Sequence, residues 1–234
     1  MELWLARSPW IGIILWIILY ISDYYLTVYS ARGFRQIGHF QFEGGFELTP
    51  QYQKEIEALK PISRLHIILL ILYSLIIFAI WWAFVYYLGL PWAYLMYLGM
   101  FILLEVAVHL RHLRNIFLIR EIRKSGGVDG QISYQKWFSY RVSAFELYLY
   151  CGLFLIVAAL ELSPFFLGGA FMCLGTGFKH TRLAKKTKLN PAQKVEAERE
   201  VRTQPARSIV NNSASSLFLP FPEFRTPEAR ARSK

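Results

Sequence analysis

Apolar residues in this chain fall in long unbroken runs separated by compact polar stretches, and the runs are too long for strands or amphipathic helices of a soluble core. The longest extends from Ile67 to Leu90 without a single charge. Five segments read as membrane-spanning helices: Trp10 to Tyr29, His66 to Tyr87, Trp92 to about Arg111, Val142 to Leu160, and Phe165 to about Lys179. The fifth is short and glycine-rich against the roughly 20 apolar residues that cross a bilayer, so a re-entrant or interfacial segment is its alternative. Leu88-Gly89-Leu90-Pro91 turns the second span into the third, and Glu161-Leu162-Ser163-Pro164 turns the fourth into the fifth. The expected fold class is an all-α, polytopic helical bundle with about five transmembrane helices.

The polar stretches complete the plan. Residues 1–30 hold the first span behind a short outer N-terminus, and 31–65 form an inner loop. Residues 66–111 form one hairpin, 112–141 a second inner loop, 142–180 the other hairpin, and 181–234 a basic, disordered tail. The first loop carries a short helix, capped by Thr49, opened by Pro50 and stopped before Pro61. Tyr52, Ile56 and Leu59 give it one apolar face, with Lys54, Glu55 and Glu57 opposite. This pattern suits a helix on the membrane surface, or one packed on the second loop near Ile132, Tyr134 and Trp137. Ser125 to Gly130 is a glycine-rich turn that ends a cytoplasmic extension of the third span.

Charge sets the orientation. The chain is 55% hydrophobic and only 18% charged, with mean hydropathy +0.31 and net charge +10. With five spans and the N-terminus outside, every Lys and Arg except Arg7 falls on the inner face, as the positive-inside rule requires. Four spans would strand the basic tail outside. The expectation is a multi-pass protein of a cell (inner) membrane with a cytoplasmic C-terminus. Arg7 and the apolar run after it do not read as a cleaved signal, because bulky Asp23-Tyr24-Tyr25 stands where small residues mark cleavage.

Lys179, Arg182, Lys185, Lys186 and Lys188 form a juxtamembrane cluster suited to anionic lipid headgroups, each such residue contributing roughly 1 kcal/mol. No aromatic interleaving accompanies it, which argues against nucleic acid as a partner. In the tail, Phe218, Phe221 and Phe224 resemble a docking motif for another membrane or peripheral protein, with a local hydrophobic cluster as the alternative. The sequon at Asn211 is unused on a cytoplasmic tail.

Candidate chemistry lies in the polar groups inside the spans, because a charge in hydrocarbon costs several kcal/mol. Asp23 falls in the first span, Glu105, His109 and His112 in the third, and Glu146 in the fourth. At 100° per residue Glu105, His109 and His112 lie within about 60° of one another, while Arg114 points the opposite way. Counted from the inner ends, all five groups reach a similar depth, and one cavity open to the cytoplasm would hold them, with His66 at its rim. Three chemistries fit: a proton or ion pathway, a divalent metal held by Glu105, His109 and His112, or carboxylates paired with Arg111 or Arg141 to join the helices. Gly169, Cys173 and Gly177 make a small-residue stripe for close helix packing, with Cys151 at the same depth as Cys173. H-E-x-x-H, G-x-S-x-G and P-loop patterns are absent, so no enzyme class or cofactor is indicated. The functional expectation is a small transporter or proton-coupled translocation component. A non-catalytic accessory subunit is the alternative, and a metal-dependent membrane enzyme the third.

Overall fold

A computed structural model describes residues 2–43 and 45–188. The elements are a 3-10 turn Glu2–Ala6, α1 Pro9–Ile37, β1 Phe40–Phe42, α2 Pro50–Glu57, α3 Arg64–Trp81 (continued by a π-helical turn Trp82–Tyr87), α4 Pro91–Ser125, β2 Ile132–Tyr134, α5 Lys136–Glu161 and α6 Pro164–Lys188. Four of these helices are long and apolar enough to cross a membrane: α1, α3 with its π turn, α4 and α5. The fifth expected span is not among them. It belongs to α6, whose apolar half ends at Phe178 and whose second half carries Lys179, Arg182, Lys185, Lys186 and Lys188.

Helix ends follow local chemistry. Ser8 and Ser63 cap α1 and α3, each hydroxyl accepting from a backbone N–H in the first turn. Pro stands at the start of α1, α2 and α4, where its missing N–H costs nothing. Gly38 ends α1 in the left-handed conformation, φ 76°. The pair α1 and α4 extends well past the residues needed for a bilayer, α4 over 35 residues and therefore about 50 Å.

Helix α4 is central, packed on α1 along one side and on α6 along another, while α5 lies along α6. The α4–α6 crossing is close because glycine faces backbone on both helices. A Cβ on Gly99 would fall on the Phe165 carbonyl, and one on Gly168 would fall on the Met96 carbonyl. The expected stripe is used inside the chain: Gly169 faces Leu103 of α4, Gly177 faces Tyr148 of α5, and Cys173 is fully buried. Cys151 is buried in the same core, and both thiols are free. Helix α3 is the outlier, with only His66 and Ile77 buried and Ile68, Ile71 and Leu75 more than half exposed.

The two loops expected on one face are joined. Strands β1 and β2 pair in parallel with Phe40 opposite Ile132 and Phe42 opposite Tyr134, and His39 Nδ1 bonds the Gly130 carbonyl at 2.7 Å. Helix α2 does not present its apolar face outward. Ile56, 1% exposed, packs with Tyr24, Val28 and Ala31 of α1, so burial against the bundle displaces the membrane-surface placement. Lys136 Nζ reaches Gln53 at 3.3 Å, a contact with the second loop of the kind weighed from sequence.

Candidate functional site

Helix α4 distributes its polar residues in three directions. Relative to Glu105, His109 and His112 lie within about 40°, Arg111 about 120° away, and Arg114 about 180° away. Each direction meets a different partner.

The first faces α1. His112 Nε2 lies 2.9 Å from Asp23 Oδ1 and 3.1 Å from Thr27 Oγ1. His109 Nε2 lies 2.6 Å from Ser22 Oγ, and its Nδ1 donates to the Glu105 carbonyl at 2.7 Å, the normal i to i+4 reach. Ser22 Oγ also lies 2.9 Å from the Leu19 carbonyl, so its single hydrogen serves either that carbonyl or His109 Nε2. Glu105 is 8% exposed and His112 6%. The Glu105 Oε2 and His112 Nδ1 atoms are buried with no hydrogen-bond partner among the described residues. The predicted stripe therefore faces Asp23, and the expected open cavity is at this seam a set of direct side-chain bonds.

The second direction faces α5 and α6. Arg111 donates to Ser143 Oγ at 2.6 Å, and Ser143 Oγ lies 2.9 Å from His180 Nδ1. The charges that act on Arg111 include Glu47, Asp23 and Glu105. Glu47 comes from the loop between β1 and α2. Its Oε1 accepts from the Thr49 backbone N–H at 2.7 Å, and the adjacent Leu48 carbonyl accepts from Tyr140 at 3.0 Å. Burial pushes the Glu47 carboxyl above the ordinary value of 4.5; the Thr49 hydrogen bonds oppose this, Asp23 adds to it, and Arg111 draws it down.

The third direction corrects the sequence reading. Glu146 is ion-paired with Arg114, on the side of α4 opposite Glu105. Equal depth had suggested convergence with Asp23, but depth fixes one coordinate and the angle around α4 fixes the other. A metal held by Glu105, His109 and His112 is also disfavoured. His109 is committed through both ring nitrogens and His112 through Nε2, and among the described residues no three His, Cys, Asp or Glu side chains form a metal-holding group.

His66 stacks on Tyr20 with ring centroids 4.1 Å apart and planes within 3°, next to Tyr24 and Tyr52. Tyr20 and Tyr52 share a hydroxyl hydrogen bond of 2.9 Å, which carries the polar seam toward α2. At the same end, Lys188 lies over the Trp137 ring at 4.9 Å, while Lys185 and Lys186 are exposed. Phe218, Phe221 and Phe224 lie outside the described residues.

Sequence reasoning missed Glu47, Ser143 and His180, and gave Arg111 only a pairing role. Comparison with family models, with curated proteins and with solved structures finds no match for this chain.

Proposed function

We propose that the chain is a multi-pass protein of a cell membrane that moves protons, or a solute coupled to protons, through the polar seam between α1 and α4. One observation carries this: His112 binds Asp23 through one ring nitrogen and holds the other buried and unpartnered, while Glu105, two turns away on the same face of α4, also holds an unpartnered buried oxygen. A neutral imidazole takes a proton at one nitrogen and releases one from the other, so this placement suits a relay.

The topology proposed is five spans, N-terminus outside. Helix α6 runs back along α5 for its whole length, with Tyr148 bonded to Thr181, Ser143 to His180 and Lys188 over Trp137. If α5 crosses the bilayer, α6 crosses beside it, Gly168 and Gly169 shielded by α4 and its basic half emerging where Lys188 lies over Trp137. The inner face then holds nearly all Lys and Arg.

In proteoliposomes under an imposed potential, with a pH dye enclosed, the wild type should acidify or alkalinise the lumen. Asp23→Asn and Glu105→Gln should each slow this at least about tenfold while remaining folded. Unchanged flux in both variants, or a wild type no faster than empty liposomes, refutes the proposal.

An accessory subunit is the alternative, favoured by α3, whose exposed Ile68, Ile71 and Leu75 offer a broad apolar face to another membrane chain. That case predicts lost stability in the two variants without any flux of the isolated chain.

A further inference from the structure

Arg111 is a buried-facing guanidinium without the partner such a group usually takes. Among the described residues its one hydrogen bond goes to a neutral hydroxyl, Ser143, and no carboxylate forms an ion pair with it. The negative charges that act on it are nonetheless those of Glu47 from the loop, Asp23 from α1 and Glu105 from its own helix. Guanidinium is a planar fork of five donors, matched to a carboxylate taken two-pronged. Here most of that fork is uncommitted.

The neighbouring bonds fix further donors. Ser143 Oγ accepts from Arg111 and therefore has its own hydrogen to give, and His180 Nδ1 at 2.9 Å is placed to receive it. In the tautomer in which Ser143 donates to Nδ1, His180 carries its proton on Nε2 and offers a second donor. The 45–49 segment is held at this cluster by Tyr140, whose hydroxyl donates to the Leu48 carbonyl and whose ring lies 5.6 Å from that of His180, and Glu47 next to Leu48 makes no ion pair with Arg111.

We propose that Arg111, Ser143 and His180 form a binding site for a small organic carboxylate, with Glu47 as a tethered competitor that an incoming carboxylate displaces. Arg111 takes the carboxylate, Ser143 holds the guanidinium plane, and His180 Nε2–H supplies a lateral donor. Glu47 shows the chemistry that the site attracts, and its approach without pairing leaves the place open to a better-fitting anion. The proposal rests on the proton-handling reading only for its role in transport, where a proton on the Asp23–His112 pair would offset the anion's charge; the binding stands on the geometry at Arg111 alone.

The test is calorimetric titration of the purified full-length chain in detergent with acetate and succinate, and with sulfate at matched ionic strength as the control. The wild type should bind a carboxylate and not sulfate. Arg111→Lys should weaken binding at least about tenfold, because an ammonium lacks the fork. Arg111→Gln should abolish it, and Arg111→Lys serves as the folded comparison if the glutamine variant is unstable. Glu47→Gln should tighten binding, about tenfold for the removal of one competing charge, and Tyr140→Phe should tighten it by freeing the loop. No binding of either carboxylate, equal binding of sulfate, or a folded Arg111→Lys variant binding as wild type would each overturn the proposal. Asp23→Asn separates the two ideas: intact succinate binding with lost proton flux supports both, and intact binding with unchanged flux refutes the proton relay alone.

Discussion

Among single residues, Glu47 makes the sharpest energetic statement. Its carboxyl is pushed up chiefly by burial, with the Asp23 charge adding to this and the Thr49 hydrogen bonds and the Arg111 charge opposing it. A folded value above the unfolded one means that Glu47 favours the folded state fully below about pH 4.5, and that this contribution is lost as pH rises through the elevated value. Thermal unfolding should therefore show Glu47→Gln gaining on the wild type as pH rises from 4.5 upward; equal melting temperatures at every pH would contradict the burial of its charge. The ion pair of Glu146 with Arg114 allows an independent check. Glu146→Gln leaves a partly exposed Arg114 without its partner and should cost about 1 kcal/mol, measured by denaturation, while proton flux is unchanged. Loss of flux would put Glu146 back with Asp23. Asp23, Glu105, His109 and His112 were legible in the sequence because charges inside apolar runs stand out and helical spacing fixes their common face. Arg111 was hidden by its position at a span end, where a basic residue is ordinary anchoring. Glu47 was hidden because a loop carboxylate gives no sign in sequence of folding back under a bundle.

Among elements, the helices were legible and the way they meet was only partly so. Small residues in α6 marked a close contact, but not that Gly168, one residue off the predicted stripe, makes the tightest approach, against the Met96 carbonyl. Gly168→Leu must move backbone and should cost at least about 1–3 kcal/mol, whereas Gly175→Ala, with open space around it, should be tolerated. Equal melting temperatures for the two variants would contradict the crossing. Strands β1 and β2 were not foreseen at all. Each is three residues long, and their partners are some 90 positions apart, so neither carries a periodic signal of its own. The apolar face of α2 was read correctly as a face, yet its neighbour was not the membrane, because α1 extends past Tyr29 to Ile37 and offers Val28 and Ala31 to Ile56.

For the whole molecule, hydropathy and charge asymmetry give the class, and the seam gives the function proposed. The topology predicts that single cysteines at Gly127 and Lys186 are labelled from one side of the membrane and those at Leu90 and Leu162 from the other; Lys186 and Leu90 on a shared side would remove α6 as a span. The polar seam of α1 and α4 lies near the inner boundary on that topology, with Glu105 about 21 Å and His112 about 31 Å along α4 from Pro91. The central claim is that Asp23 and His112 act as one proton-handling unit, and a double-mutant cycle on proton flux tests it most directly. Asp23→Asn, His112→Gln and the double variant are reconstituted at equal density, and their rates compared with the wild type. A shared unit is lost once, so the double variant should be no slower than the slower single variant. Two independent losses that multiply in the double variant would contradict it.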